Sequence, residues 1–111
     1  MWLFTRHGFF SVVYDKQQSC VVVRARREED LLALKTFANL RAKIYMTPTR
    51  DYHCRLFLTP KVWERVSIEL ARNIDYPNFK DTIHREAGAE RAHLYADIWR
   101  THHRLQEGQK R

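Results

Sequence analysis

Cysteine is scarce. Cys20 and Cys54 are the only two in 111 residues; they lack a CxxC spacing, and a small secreted scaffold stapled by disulfides needs more. Both are expected as reduced, buried thiols. Glycine and proline number three each, too few for a fibrous or low-complexity chain, and no segment repeats at a fixed period. No apolar run approaches the ~20 residues of a membrane-spanning helix. The opening Met1-Trp2-Leu3-Phe4-Thr5-Arg6-His7 also lacks the basic leader and apolar stretch of a signal peptide. No membrane partner is expected, and the cytoplasm is the expected compartment. Acid is in deficit too: 13 Asp and Glu against 20 Lys and Arg leave a formal charge of +7, which points to an acidic partner.

What is present is ordinary for a folded domain, with 44% hydrophobic and 30% charged residues, and the length suits a single domain over 1–106 with a frayed basic tail at 107–111. Residues 9–14 and 19–26 are rich in β-branched and aromatic types around a polar Asp15-Lys16-Gln17-Gln18, and they read as a β-hairpin. Glu28, Glu29 and Asp30 then suit a helix N-terminus, and Leu31, Leu34, Phe37 and Ala38 follow at helical spacing, predicting a helix over 28–39. Short strands are expected at 43–46 and 51–58 about a turn at 47–50. Thr59-Pro60 opens a second helix, to about residue 75, with Trp63, Val66, Leu70, Ala71 and Ile74 as its apolar stripe. A short helix over 79–86 and a long one over 90–105 complete the chain. In the last, Leu94, Tyr95, Ile98, Trp99, His102 and Leu105 share one face, which is expected to be buried.

This order predicts an α+β fold: a four-stranded antiparallel sheet with two helices on one face, plus a C-terminal helical pair. A circularly permuted ferredoxin-like arrangement is one assembly that the chirality rules allow. Alternation places Val21, Val23 and Ala25 on one face of the second strand and Cys20, Val22, Arg24 and Arg26 on the other, which His53, Arg55 and Phe57 can join.

That second face is the first candidate site. Arg24, Arg26 and Arg55, with Arg6, Lys43 and Arg50 at the margins, offer forks for phosphate, while Phe9, Tyr45 or Phe57 offer rings for unpaired bases. Residues 1–58 carry ten Lys and Arg against five acids, so most of the surplus lies in the sheet half. Two readings of the face stay open. Either it contacts nucleic acid, or the C-terminal helices pack over it and the arginines pair with Asp75, Asp81 or Glu86, as buried charges require. The segment Ile74-Asp75-Tyr76-Pro77-Asn78-Phe79-Lys80-Asp81 is the second candidate. Asp75, Tyr76, Asn78 and Lys80 form a binding lip there or, on the plainer reading, a helix junction capped by Asp75 or Asn78. The six histidines include no i, i+4 pair of the kind a helix metal site uses, and His53 and Cys54 point to opposite faces of a strand, so no metal and no cofactor are expected.

The leading expectation is a small basic binding module for single-stranded RNA or DNA. The alternative is a protein-binding adaptor or inhibitor, monomeric or a homodimer, that docks an acidic or nucleoprotein surface. A third reading, a metal-independent ribonuclease, would use His53 beside Arg55 or His84 near Asp81, but spacing fixes no second catalytic group. No catalytic residue is assigned, because Ser11 and the cysteines lack a sequence-defined base.

The runs Trp2-Leu3-Phe4-Thr5-Arg6 and Gly8-Phe9-Phe10-Ser11-Val12-Val13, then Val23-Arg24-Ala25-Arg26, Asp51-Tyr52 with Arg55, Ile74 to Asp81, and Arg91, Tyr95, Trp99 and Leu105-Gln106 carry a resemblance over nearly the whole chain. The pattern resembles a family of small bacterial proteins with no established activity. The resemblance implies a complete, free-standing cytoplasmic protein, bacterial or carried by a mobile element. His7 and His84 stand where that family fixes no histidine, which argues against a catalytic role for them.

Overall fold

The computed structural model describes residues 1–108. Its elements are β1 (Trp2–Thr5), β2 (Gly8–Asp15), β3 (Cys20–Ala25), α1 (Glu28–Ala38), β4 (Tyr45–Met46), β5 (Cys54–Leu58), α2 (Pro60–Arg72), α3 (Phe79–Ala87) and α4 (Ala89–Glu107). Two units divide the chain, Met1–Asp75 and the segment from Tyr76 onward. Of the expected tail at 107–111, Glu107 still belongs to α4, and 109–111 lie outside the described residues.

The first unit is α+β, but its antiparallel sheet has five strands where four were expected, in the order β1-β2-β3-β5-β4. The added strand is β1, which pairs with β2 from Trp2 opposite Ser11 to Thr5 opposite Gly8. Arg6-His7 between them lacks the Asn-Gly or Asp-Gly signature of a two-residue hairpin. The Thr5 hydroxyl closes the turn in its place, accepting from the His7 N–H at 3.1 Å and the Gly8 N–H at 3.2 Å and donating to the Gly8 carbonyl at 2.8 Å. At the other edge β4 and β5 are shorter than expected. The intervening segment folds back on itself: Thr47 N–H donates to the His53 carbonyl at 2.7 Å, and its hydroxyl to the Tyr52 carbonyl, also at 2.7 Å.

Val12, Val23 and Leu56 stand side by side across β2, β3 and β5. On that face Leu31 and Leu34 of α1 and Val66 of α2 join Phe10, Ala25 and Cys54 in one buried cluster, with Phe37, Trp63 and Leu70 packed at its margin. Each large side chain buried this way contributes roughly 1.5–3 kcal/mol, so the arrangement follows from the two helical stripes. Cys54 is buried, whereas Cys20, the first residue of β3, is only half-buried. Asn39, with φ of 52°, ends α1 in the left-handed region, and its N–H returns to the Lys35 carbonyl. Thr59 caps α2 by accepting from Val62 N–H, with Pro60 in the first turn. That helix stops at Arg72, short of 75, because Asn73 and Asp75 are held by the β1–β2 turn. Arg6 donates to the Asn73 carbonyl at 2.9 Å and to Asp75 Oδ1 at 2.7 Å, and His7 Nε2 bonds Asn73 Oδ1 at 3.0 Å while its ring stacks on Phe37.

In the second unit Asn78 caps α3 by accepting from the Asp81 N–H at 2.9 Å, and Gly88, with φ of 92°, breaks the chain between α3 and α4. The expected buried face of α4 is corrected here: Leu94, Trp99 and Leu105 are exposed, Tyr95 and Ile98 half-buried. The reason is length. Within this unit a helix of 19 residues has a partner of nine, so the distal half, which carries Trp99 and Leu105, outruns α3; length does not account for Leu94, which is 50% exposed in the proximal half. Contact extends to the start of α3, where Tyr95 stacks on Phe79 at 5.8 Å.

The Asp30 carboxylate is buried in the first turn of α1 and accepts from the Phe9 N–H at 3.1 Å. A Cβ on Gly8, whose φ is 146°, would fall 2.4 Å from Asp30 Cγ. Gly8→Ala should therefore cost about 2–6 kcal/mol, overpacking and positive-φ strain together. Adding Asp30→Ala should give a double variant whose loss in urea unfolding is smaller than the sum of the two singles, because the clash is gone. A second expectation concerns acid. The hydrogen bond and charge of Arg6 hold Asp75 below its ordinary value of 3.8. The stabilisation from this pair is thus complete above pH ~4 and is lost as pH falls through the lowered value. Asp75→Asn should flatten the acid limb of a plot of melting temperature against pH and leave the neutral region parallel to wild type.

Candidate functional site

On the face of the sheet turned away from α1 and α2, strand register places one residue from each strand in a single row. Trp2 stands opposite Ser11, Ser11 opposite Arg24, Arg24 opposite Arg55, and Arg55 opposite Tyr45. A second row runs Val13, Val22 and Phe57. The alternation read from β3 and β5 therefore places Arg24, Arg55 and Phe57 on one face. Two like charges directly opposite each other across an antiparallel pair oppose pairing, so what surrounds them decides the character of the face.

Arg24 is half-buried. One terminal nitrogen donates to Ser11 Oγ at 2.7 Å, and its guanidinium carbon lies 4.7 Å from the Tyr52 ring centroid. Its Nε–H is buried and has no hydrogen-bond partner among the described residues. Arg26 is exposed; it lies 4.6 Å from the same ring and donates to the Asp51 carbonyl at 2.9 Å. Arg55 has only a long contact, Nε to Thr47 Oγ1 at 3.4 Å. Burial lowers its pKa first, and the positive charges of Arg50 and Arg24 lower it further. No carboxylate of Met1–Asp75 forms an ion pair with Arg24, Arg26 or Arg55, and the Asp75 expected to do so pairs with Arg6 instead. The cations have rings and hydroxyls for neighbours, which leaves their charge uncompensated within the unit.

Toward the β4 edge the face changes character. Gln18, Lys43, Tyr45 and Phe57 line an open depression of about 370 Å³. The Tyr45 and Phe57 rings meet edge to face, 5.7 Å apart, and Lys43 Nζ lies 5.2 Å from the Tyr45 centroid. Tyr45 is 48% exposed. Such a surface suits a chain that alternates anion and ring: fixed forks for the one, aromatic faces for the other.

Other sequence-derived candidates fall elsewhere. Arg6 is built into the frame through Asn73 and Asp75. His53 is exposed, one residue before β5. The lip residues are divided: Asp75 belongs to the first unit, whereas in the second Tyr76 packs on Phe79, Asn78 caps α3, and Lys80 lies over Trp99 at 5.6 Å. That is the geometry of a helix junction. Of the histidines offered for acid–base work, His84 is exposed on α3.

Sequence reasoning missed two contributors. Alternation from Cys54 back to Tyr52 places the tyrosine with the core, but the strand begins at Cys54, and the loop before it carries Tyr52 to the arginines. Gln18 reads only as a turn residue. It reaches the depression because Asp15 Oδ1 gathers the Gln17 and Gln18 amides and Ser19 adopts φ of 50°.

Because Arg55 faces Arg24 with no acid between them, Arg55→Gln should leave the thermal midpoint unchanged or raise it, the relief of such a pair being worth about 0.2–1 kcal/mol. A drop of several kcal/mol on denaturation would mean that the charge is paired in the fold. No family model, curated protein or solved structure matches the chain, so its function rests on the geometry of this face.

Proposed function

We propose that the protein is a small binding module for single-stranded nucleic acid, taking phosphates on Arg24, Arg26, Arg50 and Arg55 and bases on the rings beside them. One observation carries the reading: Arg24 and Arg55 oppose each other, neither in an ion pair with a carboxylate of their unit, next to an exposed aromatic corner. Opposed cations weaken the sheet when nothing is bound and become a clamp when an anion lies across them. Aromatic faces beside the charges favour a nucleic acid over a purely acidic surface, since bases stack where carboxylates do not. The strand order β2-β3-β5-β4, with helices after β3 and β5, also supports a circularly permuted ferredoxin-like architecture for this unit.

The test is the salt dependence of binding to a mixed-sequence DNA oligonucleotide. Arg55→Gln and Arg50→Gln should each reduce the slope of log affinity against log salt by about 0.7, the counterion release of one phosphate contact on a single strand. Poly-glutamate serves as the protein-like competitor. If it binds as tightly as the oligonucleotide at equal charge, the face is one for an acidic protein; if neither binds, the proposal fails.

A further inference from the structure

The depression at the β4 edge lies beside Arg55, since Tyr45 is the register partner of Arg55 and Phe57 follows Arg55 on the same face. Its lining joins three chemistries. The two rings form a corner, with centroids 5.7 Å apart and planes inclined at 75°, so a planar group can lie flat on one ring and meet the other edge-on. Lys43 supplies a cation 5.2 Å from the Tyr45 centroid. Gln18, at the β2–β3 turn, supplies an amide that both donates and accepts. The volume of about 370 Å³ is at the small end of ligand pockets. We infer that this depression receives one unstacked base of the bound strand, with the adjoining phosphate held between Lys43 and Arg55.

The inference rests on the single-strand reading and sharpens it. A base within a duplex has both faces covered by its neighbours and its pairing edge occupied, so it cannot enter a ring-lined corner without leaving the stack. The pocket therefore makes the protein select single strands over duplexes, a choice that charge alone would not make. Stacking is tolerant of base identity because every base has a π-face. Any preference among bases comes from the one amide, Gln18.

The experiment compares a DNA oligonucleotide with a strand of equal length made wholly of abasic units, which keeps every phosphate and removes every base. Wild-type protein should bind the ordinary strand about tenfold tighter, the usual effect of one base–aromatic stack. Tyr45→Ala should abolish most of that ratio while leaving the salt slope unchanged, and Tyr45→Phe should keep it. Gln18→Ala, on an exposed turn, should change the order of preference among homopolymers without changing abasic-strand affinity. If Tyr45→Ala and wild type show the same ratio between ordinary and abasic strands, the pocket inference is overturned, while a salt-dependent affinity for both strands would still uphold the charged face. If neither strand binds, both are overturned. Melting curves of each variant establish that the fold is intact, and Tyr45→Phe reads the pocket independently of any loss in the alanine variant.

Discussion

A carboxylate placed inside a protein must be met by donors, and here that requirement governs the frame. Asp30 is buried at the first turn of α1 and accepts from the backbone at Phe9, at a point where only the missing side chain of Gly8 lets it approach. The contact fixes where β2 begins relative to α1. Because side chains alternate along a strand, that starting point decides which residues turn inward. Phe10 and Val12 enter the core, and Ser11 and Val13 are left on the other face. A slip by one residue would place Ser11 in the core and bury Phe10 against the arginines. The same short turn reaches the end of α2 through Arg6 and His7, so both helices of the first unit are referenced to one bend in the chain.

Legibility followed the strength of local signals. The hairpin, α1 and the capped start of α2 were readable because composition, caps and periodicity agree there, and the sorting of Val21 and Val23 from Arg24 and Phe57 followed from alternation alone. What failed was what depends on distant partners. β1 is four residues long and its turn is closed by a threonine hydroxyl, a device that composition does not announce. The place of Tyr52 is not legible because parity holds only inside a strand, and the chain before Cys54 is tied into a loop by Thr47. The apolar stripe of α4 was legible as a pattern but not as an interface. Periodicity reports which side of a helix is greasy, not whether a neighbour is long enough to cover it.

Arg24 and Arg55 set the stability of the sheet against the function proposed for this face. Much of the first unit follows local consistency: valines pair with valines across β2 and β3, acids begin α1, and proline opens α2. At one register position the sequence places two cations opposite each other. Conflicts of this kind are where a chain's local rules yield to something other than folding. The ring of Tyr52, lying beside both Arg24 and Arg26, moderates the conflict through the negative face of its π-system without cancelling any charge.

The strand order also bears on how the molecule assembles in time. β1, β2 and β3 form a meander in which each strand pairs with its neighbour in sequence, whereas β3 and β5 meet only after the chain has passed through α1 and β4. Closing that longer loop costs more entropy and is met later. The arginine pair is therefore created by the last joining step of the sheet rather than by its nucleus. On that order of events its repulsion acts mainly on the assembled state, and it should hasten opening of the β3–β5 seam rather than slow hairpin formation. The seam is the natural point for the sheet to breathe, and a strand laid across it would act as a kinetic latch.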